Sequence, residues 1–258
     1  MTTIHSAENR NKVKLFLIIA GYLLLYGALE ITAKLTGDTG DTWNALLISA
    51  CVLLMAILVE ICVFRSRFND LTRLLGFGKP HVKAIAAALI ISLLMFLCYP
   101  AITAITGYQF RLPADWLWLA IGVFIFHGIA EEVLYRAFLF RRLREDRSFW
   151  KAAWLAVIFF TAAHIPIIIN MGLIVGGMAV MLAVVSSFPF SFMYEKGGNT
   201  IWAPAIVHAA IDTIIPILAA GGMNEQSTMA VSLWMAAAMI IPYTAFLILK
   251  DPRKQKAG

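Results

Sequence analysis

The sequence predicts an all-α fold, a polytopic membrane protein of about eight transmembrane helices, and three observations carry that prediction. Of 258 residues, 61% are hydrophobic and 14% charged, with a mean hydropathy of +0.81, too apolar for a soluble domain. Apolar runs of about 20 residues, the length a helix needs to cross the hydrocarbon core, tile nearly the whole chain. The basic residues gather in alternate connections between those runs, as they do where one side of a membrane is cytoplasmic.

Spans are expected at about 13–35, 44–64, 84–105, 116–140, 152–169, 173–194, 201–220 and 229–249. They form one transmembrane domain over 13–250, between a polar tail at 1–12 and a basic tail at 251–258, both expected to fray. The first span has full spanning length and no small-x-small cleavage site in the right place, so it reads as an anchor. Beyond Lys14 at the start of the first span, helices 1 to 3 carry charge only at Glu30, Lys34 and Glu60. Glu30 with Lys34 is an i,i+4 pair near a helix end, and Glu60 lies near the opposite face, so both read as snorkelling side chains. The connection at 65–82 sets Leu71, Leu74, Leu75 and Phe77 among basic residues. It is expected as a short amphipathic helix on the cytoplasmic surface, broken by Gly76, Gly78 and Pro80. Turn residues mark the connections at 36–41, 106–114, 197–200 and 221–228. No repeat divides the chain into transporter-like halves.

In this arrangement eighteen of the 21 basic residues share one side, with Lys34 and Arg111 opposite and Arg136 buried. Both termini are therefore expected in the cytoplasm of an integral, multi-pass protein of the cell or inner membrane. The pI near 9.3 then points to anionic lipid headgroups as partners, not nucleic acid. Cys51, Cys62 and Cys98 are odd in number and lack metal-ligand spacing, which suits reduced core cysteines.

The fourth span carries Glu131, Glu132 and Arg136. A charged side chain near a membrane centre costs roughly 2.5–3.5 kcal/mol on insertion scales, so three within six residues need a partner network or a function. Glu132 and Arg136 are four apart and suit an ion pair on one helical face. Glu131 lies about 100° away, on the face of His127 one turn earlier. The fifth span ends near His164, one turn beyond Phe160; alone, such a histidine reads equally as a helix-to-helix hydrogen bond. In the seventh span, after Trp202 and Pro204, His208 and Asp212 share a face. That Asp can fix the histidine tautomer, or both can approach one metal ion. At 1.5 Å per residue these groups reach similar depths, about 10–18 Å from the cytoplasmic helix ends, so three helices can deliver them to one pocket. Such a set suits hydrolysis: a desolvated carboxylate takes a proton from water, and imidazoles orient that water or stabilise an oxyanion. Two histidines and a carboxylate also form a recurring zinc set, although the compact HExxH pattern is missing.

These residues resemble the motifs of the CAAX-processing and bacteriocin-processing (CPBP) family of intramembrane endopeptidases, the type II CAAX prenyl proteases and their bacterial relatives. EExxxR reads Glu131 to Arg136, FxxxH reads Phe160 to His164, and HxxxN or HxxxD reads His208 to Asp212, in a core at about 116–215. The resemblance implies Glu131 as general base, His164 positioning the water, and His208 with Asp212 at the substrate carbonyl. Glu132, Arg136 and Phe160 would be supporting residues, and a membrane peptide or protein the substrate. Family members are often labelled metalloproteases, with Glu131, His164 and His208 as the metal set and zinc as the ion, while a metal-free glutamate mechanism fits the same residues. Asp212 stands where prenyl-protein proteases typically have Asn, and an ionised Asp cannot donate a hydrogen bond. It is either protonated, or orients His208, or helps bind a metal. His127 is an extra candidate that also reads as a helix-packing histidine. Competing readings are an inactive membrane scaffold or immunity factor, and a proton-coupled transporter with Glu, His and Asp as its relay.

Overall fold

The computed structural model describes residues 2–37, 41–221 and 225–250, and eight apolar helices account for most of these described residues. The C-terminal tail at 251–258 and parts of the connections at 36–41 and 221–228 lie outside the described residues. The helices are α1 (Thr2–Thr36), α2 (Thr42–Val63), α3 (Val82–Thr106), α4 (Trp116–Arg144), α5 (Phe149–Ile169), α6 (Gly172–Lys196), α7 (Trp202–Ile217) and α8 (Glu225–Ile248). Seven are long and apolar enough to cross a membrane; α7, in the place of the seventh expected span, is shorter. The protein is an all-α polytopic membrane protein, and no strand occurs among the described residues. Leu54, Leu93, Ile158, Leu173 and Leu247 are among many large apolar side chains left exposed, as expected of a surface that faces lipid.

Helix α1 begins at Thr2, so residues 2–12, expected as a frayed tail, continue the helix. No proline or glycine interrupts that stretch, and propagation from an already formed helix adds a hydrogen bond per residue. Asp41 starts α2 by accepting from the Trp43 amide at 2.9 Å, and Ser148 starts α5 by accepting from the Lys151 amide.

Helix α4 is the central post, in contact with α1, α2, α5, α6 and α7. All eight residues of Val133–Phe140 are buried. One apolar core joins α1, α2, α5 and the second half of α4; a second joins α3, α7 and α8, and α6 contributes to both. In the second core Trp234 is buried and stacks on Tyr99 with ring centroids 4.1 Å apart. The polar residues of α4 and α7 sit where the two cores meet. Close approach of these helices requires Gly128, where a Cβ would stand 3.0 Å from the Ala205 carbonyl oxygen.

One end of the bundle is tied by ion pairs. Glu60, read from sequence as snorkelling, is instead 1% exposed and binds Arg141 at 2.6 Å, Arg142, and the Ser66 hydroxyl at 2.8 Å. Arg142 also lies over the Phe64 ring at 3.8 Å. Arg144 pairs with Glu195 at 2.7 Å, and Lys14 pairs with Glu145 and Asp146. Several basic residues of the fourth connection thus serve helix-to-helix pairing. Cys51 and Cys62 are exposed, not in the core, and among the described residues the cysteines are free.

The connection at 65–82 departs from a surface-lying helix. It makes only short turns at Phe68–Asp70 and Leu71–Leu74, then folds inward, burying Leu71 and Leu75. Apolar contact with the start of α7 exceeds what a headgroup surface offers these side chains. Phe77 meets Trp202 at 5.7 Å, Trp202 donates its indole N–H to the Gly78 carbonyl at 3.1 Å, and the Ile201 amide donates to the Gly76 carbonyl at 3.0 Å. The connection thereby anchors the end of α7 from which His208 is measured off. Gly76 has φ +78°, and a Cβ there would sit 2.7 Å from the Ile201 side chain. Gly76→Ala is expected to destabilise the protein by about 1–3 kcal/mol, through left-handed strain and overpacking. Thermal unfolding in detergent measures this; an unchanged midpoint would show that the contact does not hold α7.

Candidate active site

The site begins with how α4 is wound. Phe124–Ala130 and Val133–Phe140 are π-helical, with the Glu131 amide donating to the Phe126 carbonyl five residues back. π-Winding weakens local hydrogen bonding and recurs at functional sites. It brackets Glu131 and Glu132 while preserving both i,i+4 pairs expected from sequence. His127 Nδ1 lies 3.0 Å from Glu131 Oε1, and Arg136 Nη1 donates to Glu132 Oε1 at 3.1 Å.

Glu132 is fully buried and serves two helices, because the same Oε1 also accepts from His208 Nδ1 at 2.7 Å. Arg136 is held in turn by its second nitrogen on the Ser187 hydroxyl at 3.4 Å and by the rings of Phe160 and Phe190, at 4.8 and 5.1 Å from the guanidinium carbon. Cation–π contact replaces some of the hydration that the guanidinium gives up.

On α7, His208 and Asp212 meet as their spacing predicts: Nε2 lies 3.2 Å from Asp212 Oδ2. That carboxylate oxygen also lies 3.3 Å from His127 Nδ1. The Nδ1–H of His127 is therefore shared between Glu131 and Asp212, and His208 stands between Glu132 and Asp212. Both His208 nitrogens face carboxylates, and Asp212 Oδ2 stands between two imidazole nitrogens, a position that suits orienting His208 and binding a metal alike.

Glu131 is 7% exposed; its Oε1 faces His127, while its buried Oε2 has no hydrogen-bond partner and lies 3.9 Å from His208 Nε2. An unpaired buried carboxylate oxygen is costly; Glu132 Oε2 is likewise buried without a partner, so each of the two carboxylates keeps one unused oxygen. On α5, His164 Nδ1 donates to the Phe160 carbonyl at 2.8 Å, and its ring packs edge-on to Phe160 at 4.4 Å. That bond makes Nε2 the acceptor of a neutral ring. His164 lies within electrostatic reach of Glu131 and Asp212 but makes no hydrogen bond to either among those described.

His127, His164, His208, Asp212 and Phe160 line one cavity of about 570 Å³ whose remaining wall is mostly apolar, including Leu182, Ile215 and Trp234. The six polar groups anticipated from sequence therefore converge on one region. His127, at first only an extra candidate, contacts both Glu131 and Asp212; its position four before Glu131 was its only signal. Ser187, Phe190 and Trp234, which build the surroundings, carry no motif. The metal set expected from the resemblance, Glu131, His164 and His208, is not the one whose donor atoms gather most closely. Those are His127, His208 and Asp212, with one atom from each within 4.8 Å of the others.

Residues 113–214 match the family model of type II CAAX prenyl endopeptidases, Rce1-like, nearly the segment of the three motifs. No curated protein and no solved structure matches the chain.

Removing the Glu132 carboxylate leaves Arg136 and His208 buried without their shared acceptor. Glu132→Ala is expected to cost about 3–5 kcal/mol of stability. Denaturant unfolding in detergent measures it, and a loss below about 1 kcal/mol, the scale of an exposed pair, would contradict the shared-carboxylate role.

Proposed function

We propose, from the match of residues 113–214 to the family model of type II CAAX prenyl endopeptidases, that this protein is an intramembrane endopeptidase whose Glu131 activates water. The observation that carries the reading is the unpaired, buried Glu131 Oε2, 3.9 Å from the Nε2 of His208, a histidine that lines the apolar cavity.

In this scheme Glu131 Oε2 takes a proton from water as the oxygen attacks the scissile carbonyl carbon. His164 Nε2 accepts the water's other hydrogen and aims its lone pair, a role suited to the tautomer that Phe160 imposes. The carbonyl oxygen gains charge near His208, whose Nε2–H is the nearest donor, while ionised Asp212 cannot donate and instead holds His208 and His127. When the C–N bond breaks, the proton held by Glu131 passes to the departing amine. Glu132 and Arg136 keep the imidazole and the base in register. No serine or cysteine nucleophile is required. If a metal takes part, Glu131, His164, His208, His127 and Asp212 are the donors at hand, and its chemistry would be Lewis-acid polarisation of an oxygen.

The substrate we propose is a membrane-associated peptide or protein whose apolar segment enters the cavity from the cytoplasmic half of the bilayer. The distribution of basic residues supports cytoplasmic termini and anionic lipids at that face, and nothing favours nucleic acid.

Glu131→Ala should lower cleavage of a reconstituted membrane peptide by at least about 10²-fold, and His164→Ala by a similar factor, with expression and insertion unchanged. Full cleavage by Glu131→Ala would remove it as the base. Orientation is tested separately. In a cysteine-free background, single cysteines at Lys196 and Lys254 should react with an impermeant thiol reagent only from the cytoplasmic side, and one at Arg111 only from outside. The reverse pattern would contradict the assignment.

A further inference from the structure

Two buried carboxylates, Glu131 and Glu132, and the partly buried Asp212 share one region with a single guanidinium, Arg136, which pairs with Glu132. With all of them ionised, two negative charges remain, in surroundings where unbalanced charge is expensive. Protons on His127 and His208 would balance them, and so would one divalent cation. We infer that His127 Nδ1, His208 Nε2 and Asp212 Oδ2 form a binding site for a divalent transition-metal ion such as zinc, with His127 as a ligand that lies outside the three sequence motifs.

The geometry fits such an ion. His208 Nε2 and Asp212 Oδ2 are 3.2 Å apart, and His127 Nδ1 and Asp212 Oδ2 are 3.3 Å apart. Ligands about 2.0–2.1 Å from a tetrahedral ion are roughly 3.3 Å from one another, so both edges already have the right length. One donor atom from each residue lies within 4.8 Å of the other two, so the third edge is also short enough for a shared ion. Two imidazoles and a carboxylate leave a fourth position open, as catalytic zinc sites do.

The surroundings supply two further observations. His208 Nδ1 donates to Glu132, which Arg136 holds, the outer arrangement that orients a metal-binding histidine by its other nitrogen when an ion takes the place of the Nε2 proton. Glu131 Oε2, buried and unpartnered, lies 3.9 Å from His208 Nε2 and borders the open side. His164, by contrast, turns Nδ1 to the Phe160 carbonyl, and among the described residues it makes no ion pair with Glu131 or Asp212 and does not belong to the cluster of close donor atoms.

The inference concerns the site proposed above as hydrolytic, but its test needs no substrate, so the two can fail independently. Full-length protein, tag removed, is stripped with a chelator in lipid nanodiscs and titrated with zinc, then with cobalt(II). Elemental analysis after buffer exchange gives stoichiometry, and the visible ligand-field absorption of cobalt reports coordination. One equivalent per chain is expected, with tetrahedral-type cobalt absorption. Loss of a ligand should weaken binding by more than the roughly 10–100-fold that removal of an outer partner costs, so His127→Ala and Asp212→Asn should retain no ion after exchange. Asp212→Asn keeps the side chain's shape and guards against mere misfolding, which size exclusion and helical circular dichroism monitor. Glu131→Gln and His164→Ala should keep the equivalent. The site is overturned if the wild type retains no ion, if His127→Ala or Asp212→Asn still holds it, or if His164→Ala loses it. The first result would assign the balancing charge to histidine protons, and the last would move the ion to the Glu131, His164 and His208 set.

Discussion

The Glu132 carboxylate, fully buried, is the point on which the rest of the site rests. One of its oxygens accepts from Arg136 on its own helix and from His208 on α7. Through Arg136 it reaches Phe160 on α5 and Ser187 and Phe190 on α6, so one carboxylate indexes four helices. In a bilayer such a group has no water to fall back on, and every unmet bond would cost several kcal/mol. The same requirement keeps Glu131 free. With Arg136 and His208 committed to Glu132, Glu131 is left with His127 alone, and one of its oxygens remains unused.

Charge is handled differently at two depths. At the end of the bundle, Glu60, Arg141, Arg142, Arg144, Glu195 and Lys14 form pairs between helices, where headgroups and water lower the cost of imperfect geometry. At the centre, the carboxylates, the histidines of α4 and α7 and Arg136 are linked into one network, which compensates most of the buried charge and leaves one oxygen each of Glu131 and Glu132 unpaired. The π-wound stretches of α4 fit this account, since local helix stability is given up on the helix that carries the most charge. The apolar cavity adjoins the network through His127, His208 and Asp212, which lie in its wall together with His164.

Much of this was legible in the sequence because the determinants are local. Apolar run lengths located the helices, and the i,i+4 spacings foretold the Glu132–Arg136 and His208–Asp212 pairs. What escaped depends on long-range partners. Glu60 read as snorkelling because its partners, Arg141 and Arg142, lie some eighty residues away. The connection at 65–82 read as a surface helix because its contact with Ile201 and Trp202 is equally remote. π-Winding has no residue code, and the start of α1 was misread because polar composition suggested a tail where no helix breaker exists. His127 could be placed on the face of Glu131, but only the packing of α7 against Gly128 brings Asp212 to it.

The central claim is that Glu131 makes this polar cluster a peptide hydrolase. Its most direct measurement compares the peptide termini present in membranes of cells that express the wild-type chain with those in cells that express Glu131→Ala at equal level. The account predicts a set of new termini in membrane-associated proteins that appear only with the wild type, while their uncut precursors accumulate with the variant. Identical sets of termini in both membranes would contradict it.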